Sequence, residues 1–185
     1  MSSKRSAAFL GILSAIQIAI GGTAWAVGFA DCVRDAASKD LMAKREFQRD
    51  LRDLIVQNRL EFEALATVNM ELQILLAEAR RAMFDYLIVN DPDRIDTTNG
   101  LVQFSNFDWF DEDSAKLMEE SASYRELENQ IALVQEQNNK HPDWPKLREY
   151  FRSDLDQSPN FKALMVRLQS RRSEVESLIA QCDHD

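Results

Sequence analysis

The sequence contains few residues that interrupt a helix. Only 5 glycines and 4 prolines occur among 185 residues, and the stretch 31–89 contains neither. Glycine and proline are the residues least compatible with a helix interior, so their scarcity predicts long helices. Hydrophobic residues make up 45% of the chain and charged residues 29%, which is the composition of an ordered protein. We therefore expect an all-α chain with one folded domain after the first 30 residues.

Several kinds of chemistry have no residues to support them. The two histidines stand outside the Glu-x-x-His and His-Glu-x-x-His spacings of di-iron and zinc sites. The sequence has no phosphate-binding loop, no Gly-x-Ser-x-Gly and no dinucleotide fingerprint. It has no basic patch with interleaved aromatics, and the net charge is −9, so nucleic acid is not an expected partner. The sequence predicts a protein that is not an enzyme and has no catalytic residue, metal site or cofactor.

The one long uncharged stretch lies at the start. From Ala7 to Ala30 the chain runs 24 residues without a charge, and no later stretch does so. A helix of this length can cross a bilayer core of about 30 Å. One interpretation is a signal peptide cleaved after Ala26, and the other is an uncleaved anchor. We favour the anchor, which makes 1–30 a single pass through the inner (plasma) membrane and 31–185 an extracytoplasmic, or periplasmic, helical domain.

Small residues recur at four-residue spacing within this segment. Such spacing lets membrane helices approach closely, and a mid-span glutamine can hydrogen-bond to a neighbouring helix. The alternative is that any leader rich in alanine and glycine shows these spacings. The residues concerned are Gly11, Ala15, Gln17, Ala19, Gly22 and Ala26.

The stretch 31–89 reads as one long helix. Its apolar positions include four leucines spaced 11 residues apart, a repeat that stays on one face of a nearly straight helix. Two asparagines near this seam are also 11 apart. They are either partly solvated positions or buried groups that fix the register of helix pairing. The seam consists of Leu54, Asn58, Leu65, Asn69, Leu76 and Leu87.

Residues 90–112 break the helical pattern with two turn signals, at 90–93 and 97–100. Four of the 16 aromatic residues follow within seven positions, beside an acidic run. Either they form a docking tip with aromatic anchors in an acidic rim, or the phenylalanines form a small core. We favour the core for the phenylalanines and Trp109 as the exposed anchor. The tip residues are Phe104, Phe107, Trp109, Phe110, Asp111 and Asp113.

The remaining residues, 113–181, read as return helices. A proline-bounded corner lies at 141–145, and Ser158 precedes Pro159 as a helix N-cap. The outgoing and returning lengths are similar, so the fold expected is a transmembrane helix followed by a long antiparallel helical hairpin, or coiled-coil-like stalk. Its reach is about 90 Å, with 90–112 at the far end. Cys32 and Cys182 then become neighbours beside the membrane, where they can form a disulfide within or between chains, and the alternative is two unrelated thiols at helix ends.

These features favour a structural, assembly or accessory subunit of a membrane protein complex. The expected partners are other membrane subunits, further copies of this chain, and the lipid bilayer. Three alternatives remain open at this point: a periplasmic helical sensor that binds a ligand, a phage-lysis protein of the spanin type, and a secreted helical protein released by cleavage after Ala26.

Overall fold

The computed structural model describes residues 21–182, with side chains from Gly28 onward except that of Gln103. All regular structure in this part of the chain is helical, which confirms the all-α class. Short 3₁₀ turns and one π-helical turn, Phe151–Leu155, lie between the main elements. The α-helices are α1 Gly21–Asn58, α2 Glu63–Asn90, α3 Gly100–Ser105, α4 Asp111–Glu120, α5 Ala122–Asn139, α6 Trp144–Tyr150 and α7 Pro159–Cys182.

The prediction of one continuous helix over 31–89 is wrong at Arg59. The backbone of Arg59 leaves the helical region, with φ −146° and ψ 83°, and a 3₁₀ turn at Leu60–Phe62 reverses the chain. Asn58 donates a hydrogen bond from Nδ2 to the Leu54 carbonyl at 2.7 Å, so it closes the end of α1 instead of fixing register between helices. The helices α1 and α2 therefore form an antiparallel hairpin of their own.

Because the chain reverses at Arg59, the apolar faces of α1 and α2 pack against each other. A single helix spanning 31–89 would leave that stripe in water until a partner arrived, whereas two antiparallel halves bury it against each other. Leu54 from α1 and Leu65 from α2 lie in one core cluster beside the turn. Polar contacts link the two helices at increasing distance from the turn: Arg52 with Glu63 at 2.9 Å, Arg45 with Glu78, and Arg81 with Ser38 at 2.5 Å.

Two further helices pack on the outer sides of this hairpin. The helix α5 packs against α2, and α7 packs antiparallel to α1, with Arg167 on Asp50 at 3.0 Å. The resulting order is α7, α1, α2, α5, and the two outer helices pack little against each other. The predicted N-cap of α7 is confirmed, because Ser158 Oγ accepts the Phe161 amide at 3.1 Å. The array is an open layer, not a closed square bundle.

The predicted leucine seam is correct in part. Leu54, Leu65 and Leu87 are buried, but Leu76 is 43% exposed and Asn69 is half-buried. Leu76 is not buried because α2 has two packing faces, one against α1 and the other against α5. The contact with α5 is made by Leu72 and Leu75 instead. A single 11-residue repeat therefore does not describe the buried positions of a helix that packs against two other helices.

The first and last helices are covalently joined. Cys32 on α1 and Cys182 on α7 form a disulfide, with their Cα atoms 5.5 Å apart. The surrounding core brings together Val33, Phe104 and Ile179, so the segment 90–112 lies at this same end. We call it the disulfide end of the array.

The prediction that 90–112 forms a far tip, about 90 Å away, is therefore wrong. The reversal at Arg59 shortens the outgoing helix to 31–58, which extends about 40 Å at the usual rise per residue. The second helix of the hairpin then returns the chain to the disulfide end before 90–112 begins. The far end of the array is formed by the turn at Leu60–Phe62 and by α6.

Within residues 21–182, no helix is both long and apolar enough to cross a bilayer. The predicted membrane segment falls mostly outside the described residues, which exclude Gly11, Ala15, Gln17 and Ala19. The backbone of Gly22 and Ala26 forms part of the first turns of α1.

Candidate interaction surface

The connection between α2 and α4, residues 91–110, crosses the disulfide end of the array, and we call it the strap. Its two inner phenylalanines are core residues. Phe104 and Phe107 are 2% and 6% exposed and pack against Phe84 on α2, with ring centroids 4.8 and 5.8 Å apart. The structure therefore places these two predicted tip residues inside the protein, where they attach the strap to the helices.

Trp109 is also held by the fold. It is half-buried, its ring edge meets Tyr86 and Phe107, and its Nε1 donates to Ser114 Oγ at 2.7 Å. Buried indoles usually find such a partner. Trp109 is thus not the exposed anchor that its position off the phenylalanine spacing suggested.

Arg80 on α2 fastens the strap. Its guanidinium donates to the Ser105 carbonyl at 2.6 Å and to the Phe107 carbonyl at 3.3 Å, and its Cζ lies 3.6 Å from the centre of the Phe107 ring. Burial lowers the pKa of Arg80, although an arginine remains protonated at neutral pH. These contacts satisfy two carbonyls of an irregular segment and fix the strap against α2.

The start of the strap is ordered by a local turn. Asp96 accepts hydrogen bonds from the backbone and side chains of Thr98 and Asn99, and these bonds, with that of the Asn99 side chain largest, lower its pKa to about 2. Gly100 follows with φ +75°, a conformation that other residues adopt only with strain. A Cβ at this position would lie 2.9 Å from Glu176 Oε1 on α7. The turn thus lets the strap approach α7 closely.

Phe110, at the end of the strap, is the exposed aromatic. It is 52% exposed, and the Cζ atom of Arg94 lies 4.9 Å from its ring centre. Arg94 also pairs with Asp113 at 2.8 Å and Asp91 at 3.3 Å. The ring is therefore exposed to solvent yet held in one place by a cation packed against it.

Asp113 links the side chain of Arg94 to the backbone of Phe110. Its Oδ2 accepts from Arg94 and from the Phe110 backbone amide, the latter at 3.1 Å. Desolvation acts to raise its pKa, but the bonds from Arg94 and Phe110 outweigh it and the pKa of Asp113 is lowered. This carboxylate stays ionised at neutral pH and positions both Arg94 and the backbone next to the exposed ring.

The exposed ring lies among carboxylates. Residues 90–113 contain seven acidic side chains and a single basic one, Arg94. Five of those acids are exposed around Phe110 and on the neighbouring turn. We define the Phe110 surface as Phe110 together with Asp91, Asp93, Asp108, Asp111 and Glu112. An apolar ring inside an acidic rim is suited to binding a partner that offers an apolar pocket bordered by basic groups.

Sequence reasoning missed the two arginines that organise this end. Arg80 lies beside Arg81 and two residues from Glu78, so it does not stand out in the sequence, whereas Arg94 is the one cation of the acidic segment 90–113. A single cation among carboxylates indicates a specific ion pair, and that signal could have identified Arg94 but not Arg80. Within the described residues, no cluster of histidine, cysteine, aspartate or glutamate could hold a metal ion.

Comparison of the chain with protein-family models, with curated proteins and with solved structures found no match.

Proposed function

We propose that this chain is a non-enzymatic accessory or assembly subunit of a membrane protein complex, held at the outer face of the inner membrane by residues 1–30. The observation that carries the proposal is the disulfide between Cys32 and Cys182. Disulfides form and persist outside the reducing cytosol. Cys32 follows the uncharged stretch Ala7–Ala30 by two residues, so an extracytoplasmic location accounts for both features together.

In this arrangement the disulfide end of the array lies beside the lipid. The Phe110 surface then faces the zone just above the membrane instead of a distant target. The seven carboxylates of residues 90–113 disfavour contact with anionic headgroups and favour a basic protein surface. The partner we expect is therefore a membrane protein with basic residues near its outer membrane boundary and an apolar pocket for Phe110.

The mechanism is positional. The disulfide joins the first and last helices of the array, and Arg80 and Arg94 hold the strap, so Phe110 is presented without a large loss of conformational entropy on binding. A rigid aromatic at the centre of an interface is the kind of residue that dominates binding energy, while the charged rim governs orientation and association rate.

The experiment is copurification of the tagged full chain from its native membranes in a mild detergent, followed by intact mass measurement of each component. Phe110→Ser removes the exposed ring. Leu133→Ser is the matched control, since Leu133 is 63% exposed on the outer helix α5, away from the strap. We expect one partner to be recovered with wild type and with Leu133→Ser and to be lost with Phe110→Ser.

Two results would overturn the proposal. The first is a wild-type protein that emerges alone and monomeric from native membranes. The second is a partner retained equally by the Phe110→Ser and Leu133→Ser chains, which would place the contact elsewhere on the array.

A further inference from the structure

A cleft opens beside the strap. It lies between α1, the strap with its helix α3, and α7, and its volume is about 270 Å³. This volume is close to the lower end of the range for small-molecule sites, roughly 300 Å³. None of the residues that line the cleft belongs to the Phe110 surface.

Three helices contribute apolar groups to the cleft. Phe47 on α1 and Leu168 on α7 are half-buried in its walls, and Val102 on α3 is 56% exposed in its lining. The strap side is fixed in place by Arg80, which binds the carbonyl of Ser105, itself a lining residue. The cleft is therefore present before any ligand arrives, which reduces the entropy lost on binding.

The cleft carries an unpaired cation. Among its charged residues, Lys44 is paired with Asp40 at 2.5 Å. Arg172 on α7 lines the same cleft and forms no ion pair with any described residue, whereas the adjacent Arg171 pairs with Glu46 and Glu174. In a chain with a net charge of −9, this is a local excess of positive charge beside an apolar wall.

We infer that the cleft binds a small carboxylate with an apolar body. The planar guanidinium of Arg172 matches a carboxylate through two parallel hydrogen bonds, and a point charge would not give that geometry. The apolar body lies along Phe47, Leu168 and Val102, whose surfaces are removed from water by it. This inference does not depend on the proposed docking role, because no residue of the Phe110 surface takes part.

The test uses phenylbutyrate as the probe and the full chain in a nonionic detergent, with binding measured by isothermal titration calorimetry. Phenylbutyramide, which has the same apolar body and no charge, serves as the matched probe. We expect saturable binding of the carboxylate at one site per chain. Arg172→Gln is expected to weaken that binding by at least about ten-fold, since it removes charge-assisted hydrogen bonds.

Two further variants control for general effects of charge and of detergent. Arg49→Gln removes an exposed arginine of α1 that lies outside the cleft and has no ion pair among the described residues, so its affinity should equal that of wild type. Val102→Trp fills the cleft from an exposed position and should abolish binding. Circular dichroism establishes that each variant is folded.

The inference is overturned by any of three results. One is non-saturable uptake, which indicates partition into the detergent. Another is equal affinity for the carboxylate and the amide. The third is binding that survives either Arg172→Gln or Val102→Trp in a folded chain.

Discussion

Replacing Arg80 by methionine removes the cation that holds the strap while keeping an unbranched apolar side chain in its place. The carbonyls of Ser105 and Phe107 lose their donor, and the ring of Phe107 loses the guanidinium that lies 3.6 Å from its centre. An unsatisfied buried carbonyl costs about 1–3 kcal/mol, and the low end applies here because Ser105 is half-buried and water can reach it. The ring contact adds about 0.5–2 kcal/mol.

One effect acts in the opposite direction. Burial lowers the pKa of Arg80, which means that the fold pays a desolvation penalty for this cation, and methionine relieves it. The net expectation for Arg80→Met is a loss of about 2 kcal/mol in the free energy of unfolding. Arg80→Lys keeps the charge but cannot form the same fork of hydrogen bonds, so we expect roughly half that loss.

The assay is urea unfolding followed by far-UV circular dichroism, with near-UV signals reporting the aromatic environment of the strap. A loss of about 2 kcal/mol lowers the urea midpoint by roughly 1 M for a protein of this size. Arg125→Met is the control, because Arg125 also donates to carbonyls, those of Met118 and Glu119, but at an exposed position. If Arg80→Met and Arg125→Met unfold at the same urea concentration, the role assigned to Arg80 is refuted.

Three further predictions concern turns and helix ends. Gly100→Ala is expected to cost about 1–2 kcal/mol in urea unfolding, because φ is +75° there, and adding Glu176→Ala should recover only the part due to the steric contact. Asp96 has a folded-state pKa of about 2 against an ordinary 3.8, so its turn stabilises the protein fully above pH 4. That contribution is lost as the pH falls through about 2, and the stability difference between wild type and Asp96→Ala should therefore shrink over this interval and stay constant from pH 5 to 7. Ser158→Ala removes the N-cap of α7 and should cost about 1 kcal/mol, whereas Ser170→Ala, at an exposed position within the same helix, should change stability by less than about 0.5 kcal/mol.

Composition and periodicity were sufficient to predict the helical class and several local boundaries. The scarcity of glycine and proline indicated helices throughout, and Ser158 with Pro159 correctly placed the start of α7. These signals are local, since they depend on backbone propensity and on hydrogen bonds within a few residues.

The reversal at Arg59 could not be predicted from such local signals. Residues 58–62 contain no glycine or proline, and leucines 11 apart are equally consistent with one long helix and with two short ones. Whether one long helix or two shorter ones form depends on which other segment the apolar face packs against. Here the stripe of α1 meets that of α2, a long-range contact that periodicity does not encode.

The error about the strap followed from the error about the hairpin. With one helix over 31–89, residues 90–112 had to lie at the far end; with two, they return to the disulfide end. Trp109 and Phe110 exchanged their expected roles for a similar reason. Which aromatic is exposed depends on Arg94 and Ser114, whose positions are set by tertiary packing.

The proposed function depends on one arrangement, in which both ends of the helical domain are covalently joined beside a retained membrane segment. The most direct measurement is an intact mass and a peptide map of non-reduced protein from native membranes, with thiols blocked at lysis. We expect a single chain that retains residues 1–30, with the Cys32 peptide linked to the Cys182 peptide of the same molecule. Two blocked thiols, a bond between separate chains, or a chain beginning at Val27 would contradict it.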